Sequence, residues 1–336
     1  MPGSVRVRRV VTRAEVARYA GVSTAVVSYV INDGPRPVAA TTADRVRRAI
    51  EVLGYRPNGT ARALRSGVSD TIGLVTPHLD NLFFAELSQE IEQVAARAGQ
   101  AVLLGNSLDD LNYEKRLIEG MLSRQIDGLI VRGSSSHDDP LAGIRPDVPC
   151  VLLDTMAPLP GRRTVGSDLR GGADQLVDHL ITAHGRTRIA LVVGRDLPGL
   201  VDPRELGWRD AQRRHGVPEG PIARVAFTRT GGYDAMRTLL TDRPPQAVFA
   251  SSDLQATGVL RALHEAGLRV PGDVAVVSFD GTSESAFTYP ALTVARQPIT
   301  DIAQRAYSLL KDAATEACER LPTELVIRQS CGCPGP

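Results

Sequence analysis

The chain has 336 residues, 43% hydrophobic and 23% charged; at about 150 residues per domain it is long enough for two domains, with the make-up of a soluble globular protein. No stretch approaches the ~18 apolar residues of a membrane span, no apolar run follows the arginines of Met1–Val11 as in a secretory signal, and four cysteines do not make a disulfide framework, so a cytoplasmic location is expected. The net charge of +1 hides an asymmetry: residues 1–69 carry a net +8 from 12 arginines and four acids, the remainder carries −7, and a basic head on an acidic body suits a polyanion.

Thr12 to Tyr19 reads as a short helix, with Thr12 as N-cap, Glu15 completing a capping box, and Val16 with Tyr19 or Ala20 facing inward. Gly21 stops it. Ser23 caps a second helix, Thr24 to Ile31, whose apolar Val26, Val27, Val30 and Ile31 leave Thr24, Ala25, Ser28 and Tyr29 facing out. After a loop rich in Gly and Pro, Thr41 or Thr42 opens a third helix that runs through Val46, Ile50 and Leu53 to Gly54. Three short helices with a glycine turn between the first two have the shape of a helix-turn-helix unit.

From Thr71 the pattern changes. Strands are expected at Ile72–Thr76, Ala101–Gly105, Gly128–Val131, Cys150–Asp154, Arg188–Val193, Ala223–Phe227, Ala247–Ala250 and Val274–Phe279. Helices are expected at Ala85–Ala98, Leu111–Arg124, Gly172–Ala183, Arg204–His215, Gly232–Leu240 and Asp253–Ala266, the last with Asp253 as its N-cap. Such alternation means parallel α/β sheets, and so many strands fit two lobes better than one sheet. The tail after Ser330 is expected to be loose.

The run from Val11 to Ser23, then Val27-Ser-Tyr-Val-Ile-Asn32, resembles the head of the lactose-repressor (LacI/GalR) family of transcription regulators. So does Ala49-Ile-Glu-Val-Leu-Gly-Tyr-Arg-Pro-Asn58 with Ala61-Arg-Ala-Leu64. The likeness continues through Asp127–Val131, Val151–Asp154, Gly267–Val274, Ser278-Phe-Asp280 and Pro290–Thr293. It implies an α/β protein with an N-terminal helix-turn-helix head (1–57), a hinge helix and linker (58–70), and a two-lobed effector domain like the periplasmic binding proteins (71–336). Lobe 1 would take about 71–167 and 298–320, lobe 2 about 168–297 and 321–330. It also implies a repressor that binds a palindromic double-stranded DNA operator and is switched by a sugar-like or nucleobase-like effector. No apolar heptad tail follows, so a homodimer is expected rather than a tetramer.

The second helix would then lie in the major groove, with Thr24 and Ala25 offering methyl groups to thymine and Ser23, Ser28 and Asn32 binding phosphate. Tyr29 stands where the family most often has Arg. Asn58, Ala61 and Leu64 fall in the family's hinge helix. A helix so short is unstable alone and should order when paired on DNA, where Leu64 would wedge between base pairs. By position, Phe84, Arg132, Asp154, Arg204, Phe227 and Asp280 are the effector-binding residues. Arg132 replaces a neutral polar residue of some members, which points to an acidic effector or to an Arg132–Asp154 pair.

The competing class is a sugar-processing enzyme with an appended DNA-binding head. Its chemistry is missing from the sequence: no G-x-x-x-x-G-K-[ST], no G-x-G-x-x-G after a strand and no G-x-S-x-G occur. No cofactor and no metal are expected. His179 and His184 are five apart, off one helix face, and Cys331 and Cys333 sit on the tail without further ligands.

Overall fold

The computed structural model describes residues 11–32, 34, 36–56, 67–133, 139–144, 146–155, 159–195, 199–312 and 316–334. The chain divides into two compact units, 1–69 and 70–336. Asn58, Ala61 and Leu64 lie outside the described residues.

The first unit holds α1 (Arg13–Ala20), α2 (Thr24–Ile31) and α3 (Ala40–Leu53). The capping box forms: Thr12 Oγ1 accepts from Glu15 N, and Glu15 Oε2 accepts from Thr12 N at 2.8 Å. Ser23 Oγ accepts from Val26 N and caps α2. α3 starts at Ala40, ahead of Thr41, and no side chain caps it. Val16, Ala17, Ala20, Val27, Val46, Ala49 and Tyr55 make the small core. Tyr19 is not part of it and is 59% exposed. Positions 16, 17 and 20 share an arc of about 100° on the helix, and 19 falls outside that arc.

The second unit holds two six-stranded sheets. The first contains β1 (Thr71–Thr76), β2 (Ala101–Asn106), β3 (Gly128–Val131), β4 (Cys150–Leu153), β5 (Arg163–Ser167) and β11 (Ala317–Leu321). Its order is β11-β5-β4-β3-β1-β2, all parallel. The second contains β6 (Ile189–Val193), β7 (Ile222–Arg224), β8 (Ala247–Ala250), β9 (Ala275–Asp280), β10 (Thr293–Arg296) and β12 (Glu324–Val326). Its order is β12-β10-β9-β8-β6-β7, parallel except for antiparallel β12. Central strands such as Ile189–Val193 are fully buried, as their unbroken apolar run requires of a sheet covered on both faces.

Helices α4 (Leu82–Arg97) and α10 (Ile299–Lys311) cover one face of the first sheet, and α5 (Leu111–Leu122) covers the other. Around the second sheet, α6 (Leu169–Thr182) and α7 (Pro203–Arg214) oppose α8 (Arg229–Leu239) and α9 (Asp253–Glu265). Each sheet reverses its winding between its first and third strands in chain order, β1/β3 and β6/β8. Open α/β sheets bind ligands at the carboxyl ends of strands beside such a switch point. The chain crosses between sheets after β5, after β10 and between β11 and β12.

Several expectations need correction. Strands β5, β10, β11 and β12 and helix α10 add to those expected. β7 ends at Arg224, so Phe227 lies in the loop before α8 and not in a strand. Ser252, not Asp253, caps α9; the Asp253 carboxylate turns inward to Ser278 Oγ (2.6 Å) and Thr282 N (2.7 Å) and fixes the loop after β9. The tail is not loose either. Residues Gln329–Cys331 form a 3-10 turn, Ser330 and Cys331 are buried, and Ser330 Oγ is tied to Val276 O and Thr293 N.

Candidate functional site

The carboxyl ends of the two sheets face a cleft of about 710 Å³, counted to its open mouth. Phe84, Arg132, Asp154, Arg204, Phe227 and Asp280 all line it. Three come from the side of the first sheet. Phe84 sits in the first turn of α4, where Asn81 Oδ1 accepts from Phe83 N, and its ring is nearly buried. Arg132 follows β3, with its backbone N–H on Val75 O. Its guanidinium packs 5.6 Å from the Phe84 ring centre and donates to Gly133 O. Asp154 follows β4 at φ +46, and its Oδ1 accepts from Ser167 N at 3.1 Å.

The other three come from the side of the second sheet. Arg204 lies in the first turn of α7, forked onto the N-cap Asp202 (Nε–Oδ1 3.0 Å, Nη2–Oδ2 2.7 Å), with Nη1 donating to Ser251 O at 2.7 Å. These bonds use three of its five N–H groups, and two remain for a ligand. The Phe227 ring stacks 4.9 Å from the Arg204 guanidinium. Asp280 ends β9 at φ +101, 4% exposed. Gly281 follows at φ +67, and a Cβ there would sit 2.6 Å from Arg296 Cα, so only glycine fits this turn.

The electrostatics divide the charged groups. Burial pushes the Asp202 carboxyl up, but the charge and hydrogen bonds of Arg204 outweigh it, so Asp202 stays ionised below its ordinary range. Burial, reinforced by neighbouring Asp253, holds the Asp280 carboxyl well above the usual carboxylate range. Burial also lifts Asp253, to about 6. Arg132 has its pKa lowered by burial, yet a guanidinium stays charged. Its Nε is buried without a partner. The Arg132–Asp154 ion pair does not form: no carboxylate among the described residues lies within 4.0 Å of this cation.

Two residues that the sequence did not single out join the site. Ser167 Oγ donates to Gln297 Oε1 at 2.6 Å, and Gln297 Nε2 donates to Asp280 Oδ1 at 2.7 Å. With Ser167 N on Asp154, this makes a continuous hydrogen-bonded chain from Asp154 on one lobe to Asp280 on the other. Ser167 and Gln297 lie where the chain crosses between sheets, and only that placement, invisible in local sequence, marks them. Ser283 N donates to Glu86 Oε1 at 3.0 Å, a direct contact between the lobes.

On the head, Ser23, Thr24 and Ala25 are exposed at the start of α2. Ser28 is half-buried, and its oxygens accept from Asn32 Nδ2 (3.0 and 3.2 Å), so these two residues also close the helix end. The half-buried Tyr29 ring lies against Gly34, where a Cβ would come within 2.5 Å of it. Of the two alternatives for the inward face of α1, Ala20 is buried, and Tyr19 is exposed and adds a phenol to the head's surface.

Residues 12–58 match the family model for bacterial regulatory proteins of the lacI family, and 177–331 match a periplasmic binding protein-like domain. The chain is 33% identical to catabolite control protein A of Priestia megaterium, over 95% of this chain and 99% of that one. It is 36% identical to the ribose operon repressor of Escherichia coli (strain K12), over 91% and 93%. The chain belongs to the lacI family of bacterial regulatory proteins. Its fold agrees with the lac repressor dimer bound to operator and the anti-inducer ONPF (TM-score 0.85, 27% identity, 96% of this chain and 99% of that one). It also resembles the regulator CelR in complex with cellobiose (TM-score 0.68, 30% identity, 95% and 99%). This lacI-family chain is thus a DNA-binding transcriptional regulator with the family's effector-domain fold, and not an enzyme. Among the described residues no helix is long and apolar enough to cross a membrane.

Proposed function

We propose that this regulator is a cytoplasmic, homodimeric repressor whose affinity for a palindromic operator is set by a small sugar-like effector held in the cleft. The convergence of six residues, named from sequence position, on one cleft between two lobes carries this reading. Phe84 and Phe227 supply apolar faces for a sugar ring, and Asp154 and Asp280 supply acceptors for its hydroxyls. On the head, Ser23, Thr24, Ala25, Ser28, Tyr29 and Asn32 meet the major groove and its phosphates. Asn58, Ala61 and Leu64, outside the described residues, would serve the minor groove. Dimerisation fits the apolar surface left uncovered: Leu104 on edge strand β2 is 42% exposed, and Phe287 and Tyr289 on the second lobe are 88% and 99% exposed.

Arg132, which has no ion pair among the described residues, refines the effector class. Among the described residues no carboxylate lies within 4.0 Å of this cation, Asp154 and Asp109 act on it only from further off, and its buried Nε has no partner, which suits an anionic group on the ligand. The effector is therefore a sugar acid or a sugar phosphate. Calorimetry of the intact protein against neutral sugars, sugar acids and sugar phosphates tests this. An acidic sugar should bind, and Arg132→Gln should weaken it about 10–150-fold, the worth of one hydrogen bond to a charged group. Tight binding of a neutral sugar, equally strong in Arg132→Gln, would contradict the anionic assignment.

A further inference from the structure

The second lobe carries a cluster unrelated to the cleft residues. His179 lies in the last turn of α6, and His184 follows just beyond its end. Cys331 and Cys333 lie on the closing turn of the chain. The four potential donor atoms all lie within 4.8 Å of one another. Cys333 Sγ is 3.6 Å from His179 Nε2 and 3.4 Å from His184 Nε2. The two imidazoles meet edge to face at 83°, with centroids 5.0 Å apart. The five-residue spacing keeps the histidines off one face of a continuous helix, but α6 ends at Thr182, so His184 turns back beside His179.

We propose that these four residues form a structural Zn(II) site. Bonds of about 2.3 Å to sulfur and 2.0–2.1 Å to nitrogen place the N···S edges of a tetrahedron at about 3.5–3.6 Å, close to the two distances found. Two thiolates with two imidazoles are a closed, soft-to-borderline donor set that favours zinc over magnesium or calcium, which take oxygen ligands. The backbone is shaped for the cluster. Gly332, between the two cysteines, has φ +118, and a Cβ there would stand 3.1 Å from His184 Nδ1. Glycine alone lets the Cys-Gly-Cys turn lie flat against that ring. Cys331 is fully buried, and its thiol donates to Arg328 O at 3.3 Å, a bond given up when the metal displaces the proton. On binding, each thiol gives up its proton to solvent and the metal takes both thiolates and one nitrogen from each neutral imidazole. The site would fasten the end of the chain to α6, the helix whose first residue, Leu169, lines the cleft.

The test uses the intact protein, reduced, exposed to zinc and then dialysed. Elemental analysis should find one zinc per chain in the wild type and none in Cys333→Ser. In competition with a chromophoric chelator, Cys333→Ser and His184→Gln should each bind zinc at least about 100-fold more weakly. Neither changes the fully buried Cys331, and unchanged far-UV dichroism would show that both variants fold. The cobalt-loaded protein should show intense tetrahedral ligand-field bands with thiolate charge transfer, absent in Cys333→Ser. Zinc affinity equal in wild type and Cys333→Ser, a six-coordinate cobalt spectrum, or a Cys331–Cys333 disulfide formed in preference to metal loading would each overturn the site.

Discussion

Operator binding by the intact dimer should weaken ~10³–10⁵-fold between about 50 and about 200 mM salt, if six to ten phosphates are contacted. The expectation rests on where the head's positive charge lies. Of its 12 arginines, Arg18, Arg36, Arg45, Arg47, Arg48 and Arg56 are exposed. Among the described residues only Arg47 of these six has a salt bridge, an exposed one to Asp44 at 2.9 Å, and such pairs hold little energy. Two heads in a dimer offer twice this number to the duplex. Each phosphate neutralised releases condensed counterions, and salt reverses that gain. A log–log plot of affinity against salt, on a site selected from random DNA, measures it. A slope near zero would mean that the basic head is only a solvated surface.

Asp280→Asn should make the ligand-free protein more stable at neutral pH while weakening the effector about 10–150-fold. Burial and the nearby Asp253 raise the Asp280 carboxyl well above its ordinary range, so folding favours its protonated form. The stabilisation from that proton is complete below the unfolded pKa of about 3.9 and is lost as pH rises through the folded value. As pH rises above about 3.9 the wild type therefore loses stability, because the folded chain must hold a buried proton or, above the folded value, a buried charge. Asparagine keeps an oxygen to accept from Gln297 Nε2, now at 2.7 Å, and removes the charge. The stability of the variant relative to the wild type should therefore rise with pH from about 3.9 up to the folded value and level off beyond it. Binding suffers because a ligand hydroxyl loses a charge-assisted acceptor. Thermal unfolding in steps between about pH 4 and about pH 8 should show the variant gaining on the wild type as pH rises, with calorimetry supplying the affinity. Loss of both stability and binding would make Asp280 a structural residue.

Much of this was readable in the sequence because the signals were local. The head's caps and glycine stop lie within a few residues of the helices they bound, and β1, β3, β6, β8 and β9 are runs buried on both faces. Helix α10 was not expected, although its stripe Ile302, Ala303, Ala306, Leu309 and Leu310 has the helical period. The short strands β5, β11 and β12 are not legible, because Arg163-Thr-Val-Gly-Ser167 and Ala317-Cys-Glu-Arg-Leu321 are polar and Glu324–Val326 is too brief; only their neighbours in space make them strands. The six cleft residues came from their positions in the family resemblance; most stand at or just after the end of a strand or in a helix's first turn, and Phe227 lies in the loop before α8. The Ser167–Gln297 relay and the His179, His184, Cys331, Cys333 cluster join residues 130 or more positions apart. No periodicity reports such contacts. The end of α6 alone decides whether two histidines five apart can meet.

The central claim is that the cleft and the DNA-binding head share one free energy. Operator affinity of the intact protein, measured at fixed salt with and without saturating cleft ligand, tests it most directly. The account predicts a shift of about 5–150-fold, and the same factor in ligand affinity when operator is bound first, because coupling between two binding sites is reciprocal. A ligand that fills the cleft, as judged by its loss of affinity in Asp280→Asn, yet leaves operator affinity unchanged would contradict it.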